Sequence, residues 1–190
     1  MKLFINCCPR KDSRTKRIAD ALLDKIGEYE EISLYETLLC PIDESRLGKR
    51  NALLKNGALD DDEFALARQF AAADEIVVAA PFWDLSFPAK LKLYIENIYI
   101  TGIVSAYDEN GIPKGLCNAK RLFYVTTSGG PYDGRYSFDY LKTLCTDYFG
   151  IPEVILVKAE MLDIVGNDPE AIVEEAIRGT DCSLNTGRLG

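Results

Sequence analysis

The stretch FINCCPRKDSRTKRIAD, residues 4–20, contains three patterns in succession. A short apolar run predicts a buried strand, a loop rich in Pro, Arg and Ser follows it, and apolar residues at helical spacing begin after the loop. A strand followed by a loop and an amphipathic helix opens a βαβ unit, from which parallel sheets are built. Basic residues and hydroxyls crowd the turn between strand and helix, a position where proteins bind anions.

The same alternation continues along the chain. Further strands are predicted in EEISLYE, EIVVAAP, RLFYVTTSGGP and PEVILVKAE (residues 30–36, 75–81, 121–131 and 152–160). Helices are predicted over residues 15–26, 60–74, 88–100, 137–150 and 167–179, the last one ending at Gly179. A polar loop is expected after the second strand, and VSAYDENGIPKG (residues 104–115) has the pattern of a hairpin outside the sheet. Five alternating strands and helices predict an α/β domain whose parallel sheet carries helices on both faces.

Length and charge narrow the classes of function. The 190 residues suit a single domain, in which residues 179–190 are expected to be a frayed tail. A net charge of -8 argues against binding to nucleic acid or to an anionic membrane surface. No apolar run approaches the roughly 20 residues that span a bilayer. We therefore expect neither a nucleic-acid partner nor a membrane location.

Cysteine and histidine usage narrows the chemistry further. The six cysteines form no C-x-x-C pair, and the chain has no histidine, so no metal site is expected. Reduced structural thiols in a cytoplasmic protein are the favoured interpretation, with a redox role for Cys7 and Cys8 as the alternative. Without histidine, a Ser-His-Asp or Cys-His mechanism is impossible. Catalysis would have to use carboxylates, Tyr, Lys or a cofactor with its own chemistry.

Three loops are predicted to leave the sheet at the carboxyl ends of its strands, where ligands of open α/β sheets bind. The first is the loop of residues 9–15, whose arginines and hydroxyls suit a phosphate monoester. APFWDLSFP (residues 80–88) offers an aromatic wall, and TTSGGPY (residues 126–132) offers glycines beside which a ligand can approach the backbone. Together they suit a planar heterocycle with a phosphate. Plainer interpretations remain open, in which Ser13 or Thr15 only caps the helix, the aromatic loop only packs on its neighbours and the glycines only form a turn.

The ordered set CCPRKDSRT, APFWDLSFPAKLKLYIEN, YDENGIPKGL and YVTTSGGP resembles the FMN-dependent NAD(P)H oxidoreductases of flavodoxin-like fold, in their azoreductase and quinone reductase branch. The resemblance covers residues 1 to about 160. It implies a three-layer sandwich with strand order 2-1-3-4-5 and FMN between strands one and three. It also implies a homodimer that passes two electrons from NADH or NADPH through FMN to a quinone, azo compound or nitroaromatic, in ping-pong fashion.

The matching positions imply roles for individual residues. The resemblance implies that the FMN phosphate is held by Arg10, Ser13, Arg14 and Thr15. It implies that the isoalloxazine ring is flanked by Pro81, Phe82, Trp83, Asp84 and Leu85. It implies that the pyrimidine side is lined by Thr127, Ser128, Gly129 and Gly130. Tyr107 matches an aromatic of a segment that crosses the dimer interface, and Tyr148 matches an aromatic of the pocket wall. No residue is assigned as a catalytic acid or base, because FMN carries the chemistry.

Two other functions are compatible with the same sequence. A flavodoxin-type electron carrier could use the acidic surface to dock basic redox partners. A flavin-free binding or regulatory module could use the same fold, because fold does not determine function. The YDENGIPKGL segment favours the enzyme, since it has the pattern of a part built for a pocket or a dimer rather than for an exposed flavin edge.

Overall fold

The centre of the fold is a five-stranded parallel sheet, seen in a computed structural model that describes residues 1–185. Its strands are β1 (Lys2–Asn6), β2 (Glu30–Ser33), β3 (Glu75–Ala79), β6 (Arg121–Thr127) and β7 (Glu153–Ala159). Their order is β2-β1-β3-β6-β7, with the short strands β4 (Ser105–Tyr107) and β5 (Pro113–Gly115) in a separate antiparallel hairpin. Counted within the sheet alone, this is the predicted order 2-1-3-4-5, and the predicted hairpin is also confirmed.

Helices cover both faces of the sheet, as predicted. They are α1 (Arg14–Ile26), α2 (Glu44–Lys55), α3 (Ala65–Ala72), α4 (Ala89–Ile98), α5 (Phe138–Thr143) and α6 (Pro169–Asn185). A 3-10 turn (Asp62–Phe64) precedes α3, and a π-helical segment (Leu144–Phe149) follows α5. None of the helices within residues 1–185 is long and apolar enough to cross a membrane.

Alternate residues of each strand point to opposite faces of the sheet, so two hydrophobic clusters form. Phe4, Val77 and Phe123 pack with residues of α1 and α6 on one face. Leu3 and Ile76 pack with residues of α3, α4 and α5 on the other face. A sheet covered on both sides explains why β1, β3, β6 and β7 contain continuous apolar runs, whereas the edge strand β2 has two exposed glutamates.

The prediction of a loop after β2 was wrong, because this segment contains α2. The helix begins at Asp43, whose side chain accepts a hydrogen bond from the N–H of Arg46 at 2.8 Å. The buried residue of α2 is not apolar but Arg50, which donates to the carbonyl oxygens of Glu96 and Asn97 at 3.2 and 2.8 Å. A helix that is anchored through a buried arginine lacks the apolar stripe on which the prediction depended.

A charge cluster of Arg46, Lys49, Arg50 and Glu63 fixes α2 to the rest of the chain. Nitrogen atoms of the three basic residues lie 2.7, 3.1 and 3.0 Å from the carboxylate oxygens of Glu63. The side chains of Arg50 and Glu63 are only 6% and 9% exposed. Burial alone would raise the pKa of Glu63, but the hydrogen bonds from Arg50, Arg46 and Lys49 outweigh it and lower the pKa to about 2. We call this group the α2 charge cluster.

The last helix is longer than predicted. Gly179 does not end it, because α6 continues to Asn185, and the predicted tail of residues 179–190 is helical up to that residue. Its remaining residues, 186–190, lie outside the described part of the chain. The buried hydroxyl of Thr180 accepts a hydrogen bond from Lys25 at 2.7 Å, and Lys25 also pairs with Asp181 at 2.7 Å. These contacts with α1 hold the helix together past the glycine.

The hairpin lies against the π-helical segment through its backbone. A Cβ atom on Gly115 would overlap the backbone of Phe149 and Gly150. The two backbone segments therefore approach each other more closely there than a side chain on Gly115 would permit. Gly150 itself has φ +76°, the left-handed conformation of a helix end, as predicted. The base of the hairpin is therefore fixed to the body of the protein, while its tip at residues 108–112 is exposed.

Candidate functional site

A cleft opens at the carboxyl edge of the sheet. In the sheet register Asn6 pairs with Ala79 and Ala79 with Val125, so β1 and β3 end level with each other. β6 runs two residues further, to Thr127, and the loops after all three strands leave the same edge of the sheet. The cleft has a volume of about 140 Å³ and is lined by Pro9, Arg10, Ser13, Arg14, Thr15, Pro81, Phe82, Trp83, Thr127, Ser128, Gly129, Leu162 and Asp163. All of the predicted FMN-binding residues contribute except Asp84, Leu85 and Gly130.

Ser13 caps helix α1 and also faces the cleft. Its side-chain oxygen accepts a hydrogen bond from the N–H of Lys16 at 3.3 Å, so the plain interpretation of Ser13 as a helix cap is correct. The hydroxyl hydrogen is not used in that bond, and Ser13 lines the cleft as predicted. The first N–H groups of α1 have no acceptor within the helix and carry its positive dipole end. This end of the cleft is therefore suited to an anion.

Thr15 and Thr127 connect two of the three loops. Their hydroxyl oxygens lie 2.6 Å apart, and Thr15 is buried. The hydrogen of only one hydroxyl is needed for this bond, so the other hydroxyl keeps a hydrogen that it can donate to a ligand. The contact fixes the start of α1 to the end of β6, two elements that are far apart in the sequence.

The two arginines of the cleft differ in their surroundings. Arg10 is exposed and makes no ion pair with any residue that the structure describes. Arg14 Nη1 lies 3.4 Å from Asp163 Oδ1, and both side chains are largely open to solvent. Both guanidinium groups can donate further hydrogen bonds, because each has five N–H donors.

The aromatic loop is only partly packed. Phe82 stands edge-on to Tyr132 with 4.9 Å between the ring centroids, as the plain interpretation of this loop expected. The side chain of Trp83, in contrast, is 43% exposed and lines the cleft. Trp83 is thus an apolar wall of the cleft rather than a residue of the core.

A tight turn follows Trp83. The backbones of Trp83 and Ser86 exchange two hydrogen bonds of 2.8 Å, and the central residues Asp84 and Leu85 have φ values of 50° and 65°. Such φ values are costly for a leucine and are tolerated where surrounding contacts impose them. The Ser86 hydroxyl supplies one such contact by donating to the carbonyl oxygen of Tyr136 at 2.6 Å. Asp84 and Leu85 project from the turn and do not line the cleft.

The glycines of the third loop serve a purpose that the sequence did not reveal. A Cβ atom on Gly129 would overlap the carboxylate of Asp163, so this glycine makes room for a neighbouring loop. Gly130 has open space around its Cα and is not part of the cleft lining. Neither glycine has the left-handed φ that only glycine adopts easily. Gly129 therefore packs against the loop after β7 and also lines the cleft, and the approach of a ligand to the two glycines stays a prediction.

Tyr107 and Tyr148 lie away from this cleft. Tyr148 contacts Tyr99, with 6.4 Å between their ring centroids, and Tyr107 is near enough to Tyr99 to affect its pKa. Burial is the main cause that raises the pKa of Tyr99 to about 12. The three tyrosines form a separate group beside the hairpin, where Tyr107 is 51% exposed.

The cysteines next to the first loop are structural in character. Both Cys7 and Cys8 are free and buried. Burial raises the pKa of Cys7 to about 12 and that of Cys8 to about 11, so neither thiol readily forms the reactive thiolate.

Sequence patterns missed the contribution of the loop after β7, which places Leu162 and Asp163 in the cleft. The signal was nevertheless present, because the carboxyl end of a fifth parallel strand must lie at the same edge of the sheet. The cleft thus joins an anion-binding end to an apolar wall. Its volume is below the roughly 300–1,000 Å³ of typical ligand pockets, so a ligand of ordinary cofactor size would extend beyond it.

Comparison with known proteins agrees with this arrangement. A family model described as flavodoxin-like fold matches residues 2–181. FMN-dependent NADH:quinone oxidoreductase 2 of Clostridium acetobutylicum is 35% identical over 184 residues, which cover 90% of each chain. An azoreductase of Bacillus anthracis superposes with a TM-score of 0.83 at 20% identity, over 97% of this chain and 98% of the other. An FMN-dependent NADH-azoreductase of Bacillus anthracis, solved in complex with FMN, gives a TM-score of 0.81 at 24% identity over 97% of both chains.

Proposed function

As this chain belongs to the family with the flavodoxin-like fold, we propose that it is an FMN-dependent NAD(P)H oxidoreductase that reduces quinones or azo compounds. One observation carries the proposal: a single cleft joins the arginines and hydroxyls at the start of α1 to the exposed wall of Trp83. The relatives that match nearly the whole chain are named as enzymes of this kind.

The residues present fit FMN. The phosphate is held by Arg10, Arg14 and Ser13 together with the first N–H groups of α1, because charged donors and a helix start both favour an anion. Whichever of Thr15 and Thr127 keeps its hydrogen donates to the same ligand. Phe82 and Trp83 would hold the ring on one side, and Ser128 and Gly129 would border it on the other, since all four residues line the same cleft. Asp84 and Leu85 act through the backbone of their turn.

FMN, when bound, supplies the two-electron hydride chemistry that no side chain of this protein can provide. The residues of the chain would position the cofactor. The turn of residues 83–86 is held by its own hydrogen bonds and by Ser86, so the wall beside the ring does not have to rearrange on binding. The exposed face of Trp83 leaves room for the nicotinamide and then for the acceptor, which use the same space in turn. Since the named relatives act on NADH, we expect NADH to be the preferred donor.

The assembly is a homodimer in this proposal, with Tyr107 and Tyr148 of one chain close to the cleft of the other. Tyr107 and Ile112 of the hairpin are exposed, and apolar surface of this kind is common at interfaces. The apolar helix α4 gives no support for an interface, because Tyr94 and Ile98 are buried in the core of their own chain. The small volume of the cleft is consistent with a second chain completing it.

A cytoplasmic location is proposed from the cysteines. All six are free in the structure, which suits a compartment where thiols stay reduced.

The proposed function is tested with the purified protein, FMN, NADH and a soluble quinone. We expect saturable FMN binding and NADH oxidation that depends on the quinone and needs no other protein. Light scattering on the same sample should give twice the mass of one chain. Binding of FMN with NADH oxidation only after addition of a partner reductase would instead identify an electron carrier, and absence of FMN binding would identify a flavin-free module.

A further inference from the structure

Asp163 is the only acidic residue among the described residues that line the cleft. Its backbone N–H donates to the carbonyl oxygen of Gly129 at 2.9 Å, and the preceding Leu162 donates to Ser128 at 3.2 Å. Its carboxylate occupies the space where a Cβ of Gly129 would be, and Oδ1 lies 3.4 Å from Arg14 Nη1. Backbone bonds and the missing side chain of Gly129 therefore hold a negative charge at the anion-binding end of the cleft.

A carboxylate at this position affects any ligand that carries phosphate. A phosphate monoester has a charge of about −1.5 to −2 at pH 7. When a phosphate binds beside Arg14, the carboxylate of Asp163 has two alternatives. It either stays next to the guanidinium of Arg14 and repels the phosphate, or it turns away and loses its contact with Arg14. Both alternatives reduce the free energy of phosphate binding, so the direction of the effect does not depend on which occurs.

We propose that Asp163 is a specificity-determining residue that weakens the binding of phosphorylated flavin and leaves the binding of unphosphorylated flavin unchanged. The inference rests on the proposed FMN site. The site thereby holds its cofactor less tightly than its arginines alone would allow.

The test measures dissociation constants of FMN and riboflavin for the apo-protein by flavin fluorescence titration. Riboflavin has the same ring and ribityl chain without the phosphate. Asp163→Asn keeps the size of the side chain and removes its charge. We expect FMN to bind about two- to five-fold more tightly, the range for an exposed ion pair, and riboflavin to bind as before. The gain should decrease as salt is added, because exposed charges are screened.

Asp181→Asn is the matched control. Asp181 pairs with Lys25 at 2.7 Å, is similarly exposed, and lies on α6 away from the cleft lining. The substitution changes net charge by the same amount and should alter neither dissociation constant. In an Arg14→Gln background, Asp163→Asn should have a smaller effect on FMN than it has in the unmodified protein, because the shared guanidinium is gone.

Each other result overturns the inference. Equal weakening of both flavins by Asp163→Asn would show that the carboxylate binds the ribityl hydroxyls. Unchanged FMN affinity would show that it has no influence, and the same tightening in Asp181→Asn would show a general charge effect. Failure of the unmodified protein to bind either flavin would instead overturn the proposed function itself, so the two failures are distinct.

Discussion

The protein contains two groups of arginines that the fold treats in opposite ways. Arg46 and Arg50 of the α2 charge cluster are bonded to Glu63 and to backbone carbonyl oxygens, and Arg50 is buried. Within the described residues, Arg10 at the cleft has no ion-pair partner, and Arg14 has one, the exposed Asp163 at 3.4 Å. Charges with partners in the chain contribute to stability, and charges whose donors remain open are available to a ligand. The same residue type thus stabilises the fold in the α2 charge cluster and keeps its donors open to a ligand at the cleft.

The largest effect should come from removing the shared carboxylate. Glu63→Gln leaves Arg50 buried without a counter-charge, and we expect the free energy of unfolding to fall by about 3–5 kcal/mol. Urea denaturation of the apo-protein measures this value. FMN affinity of the folded fraction should be unchanged, and a loss of FMN binding without a loss of stability would break the contrast between the two groups.

Acid should act on the same cluster. A carboxylate with a lowered pKa contributes stability that is fully present above its ordinary value of 4.5 and is lost as the pH falls towards about 2. The difference between the two values corresponds to no more than about 3 kcal/mol. Thermal melts between pH 5 and 2 should show this decline in the unmodified protein and a shallower one in Glu63→Gln. Parallel curves for the two proteins would show that Glu63 is not the group that titrates.

Arg10→Ala tests the other side of the comparison. We expect FMN binding to weaken by about 1.5–3 kcal/mol, the range for a hydrogen bond to a charged group. Stability of the apo-protein should change by less than about 0.5 kcal/mol, because Arg10 is an exposed residue. Fluorescence titration and denaturation of one preparation give both numbers. An unchanged FMN affinity would remove Arg10 from the phosphate site.

The apolar wall should also contribute little to stability, which extends the contrast from charges to aromatic side chains. Trp83→Ala should lower the free energy of unfolding by less than about 1 kcal/mol, since the side chain is 43% exposed. Phe64→Ala, at a fully buried position, should cost about 3–5 kcal/mol. Trp83 is the only tryptophan, so its fluorescence should be quenched when FMN binds, and unquenched emission would place the ring elsewhere.

The parts of the fold that sequence predicted are those with a local pattern. Four of the five strands contain short apolar runs, β2 has an alternating pattern, and the loop of residues 9–15 follows the first strand directly. Both the sheet and the end of the cleft that suits an anion could therefore be derived from neighbouring residues. The missed helix α2 has a buried arginine where the pattern requires an apolar residue. The predicted stop at Gly179 failed because Lys25, from another helix, bonds to the turn that follows. These features depend on tertiary contacts, which no local pattern contains.

The candidate site shows the same difference between features with a local sequence pattern and features that depend on tertiary contacts. Arg10, Ser13 and Trp83 belong to loops with a recognisable composition, and the cleft contains all three. Asp163 lies in a loop without such a composition. Only the structure shows that it belongs to the site, through its distance from Arg14 and its position in the space that a side chain on Gly129 would fill. The contact between Gly129 and Asp163 is likewise a tertiary feature, which the composition of the glycine loop does not contain.

The close approach of Gly115 to Gly150 also limits how this protein can change over generations. Any side chain on Gly115 would collide with backbone, and Gly150 has a left-handed φ, so a substitution at either position is harmful on its own. In the exposed tip at residues 108–112, Gly111 shares the left-handed φ, at 76°, but an added side chain there would meet no neighbouring atom, and the other four positions lack this restriction. During evolution the tip can therefore change in length and in residue type while the base of the hairpin stays the same. The hairpin is a segment where new surface can evolve without disturbing the sheet.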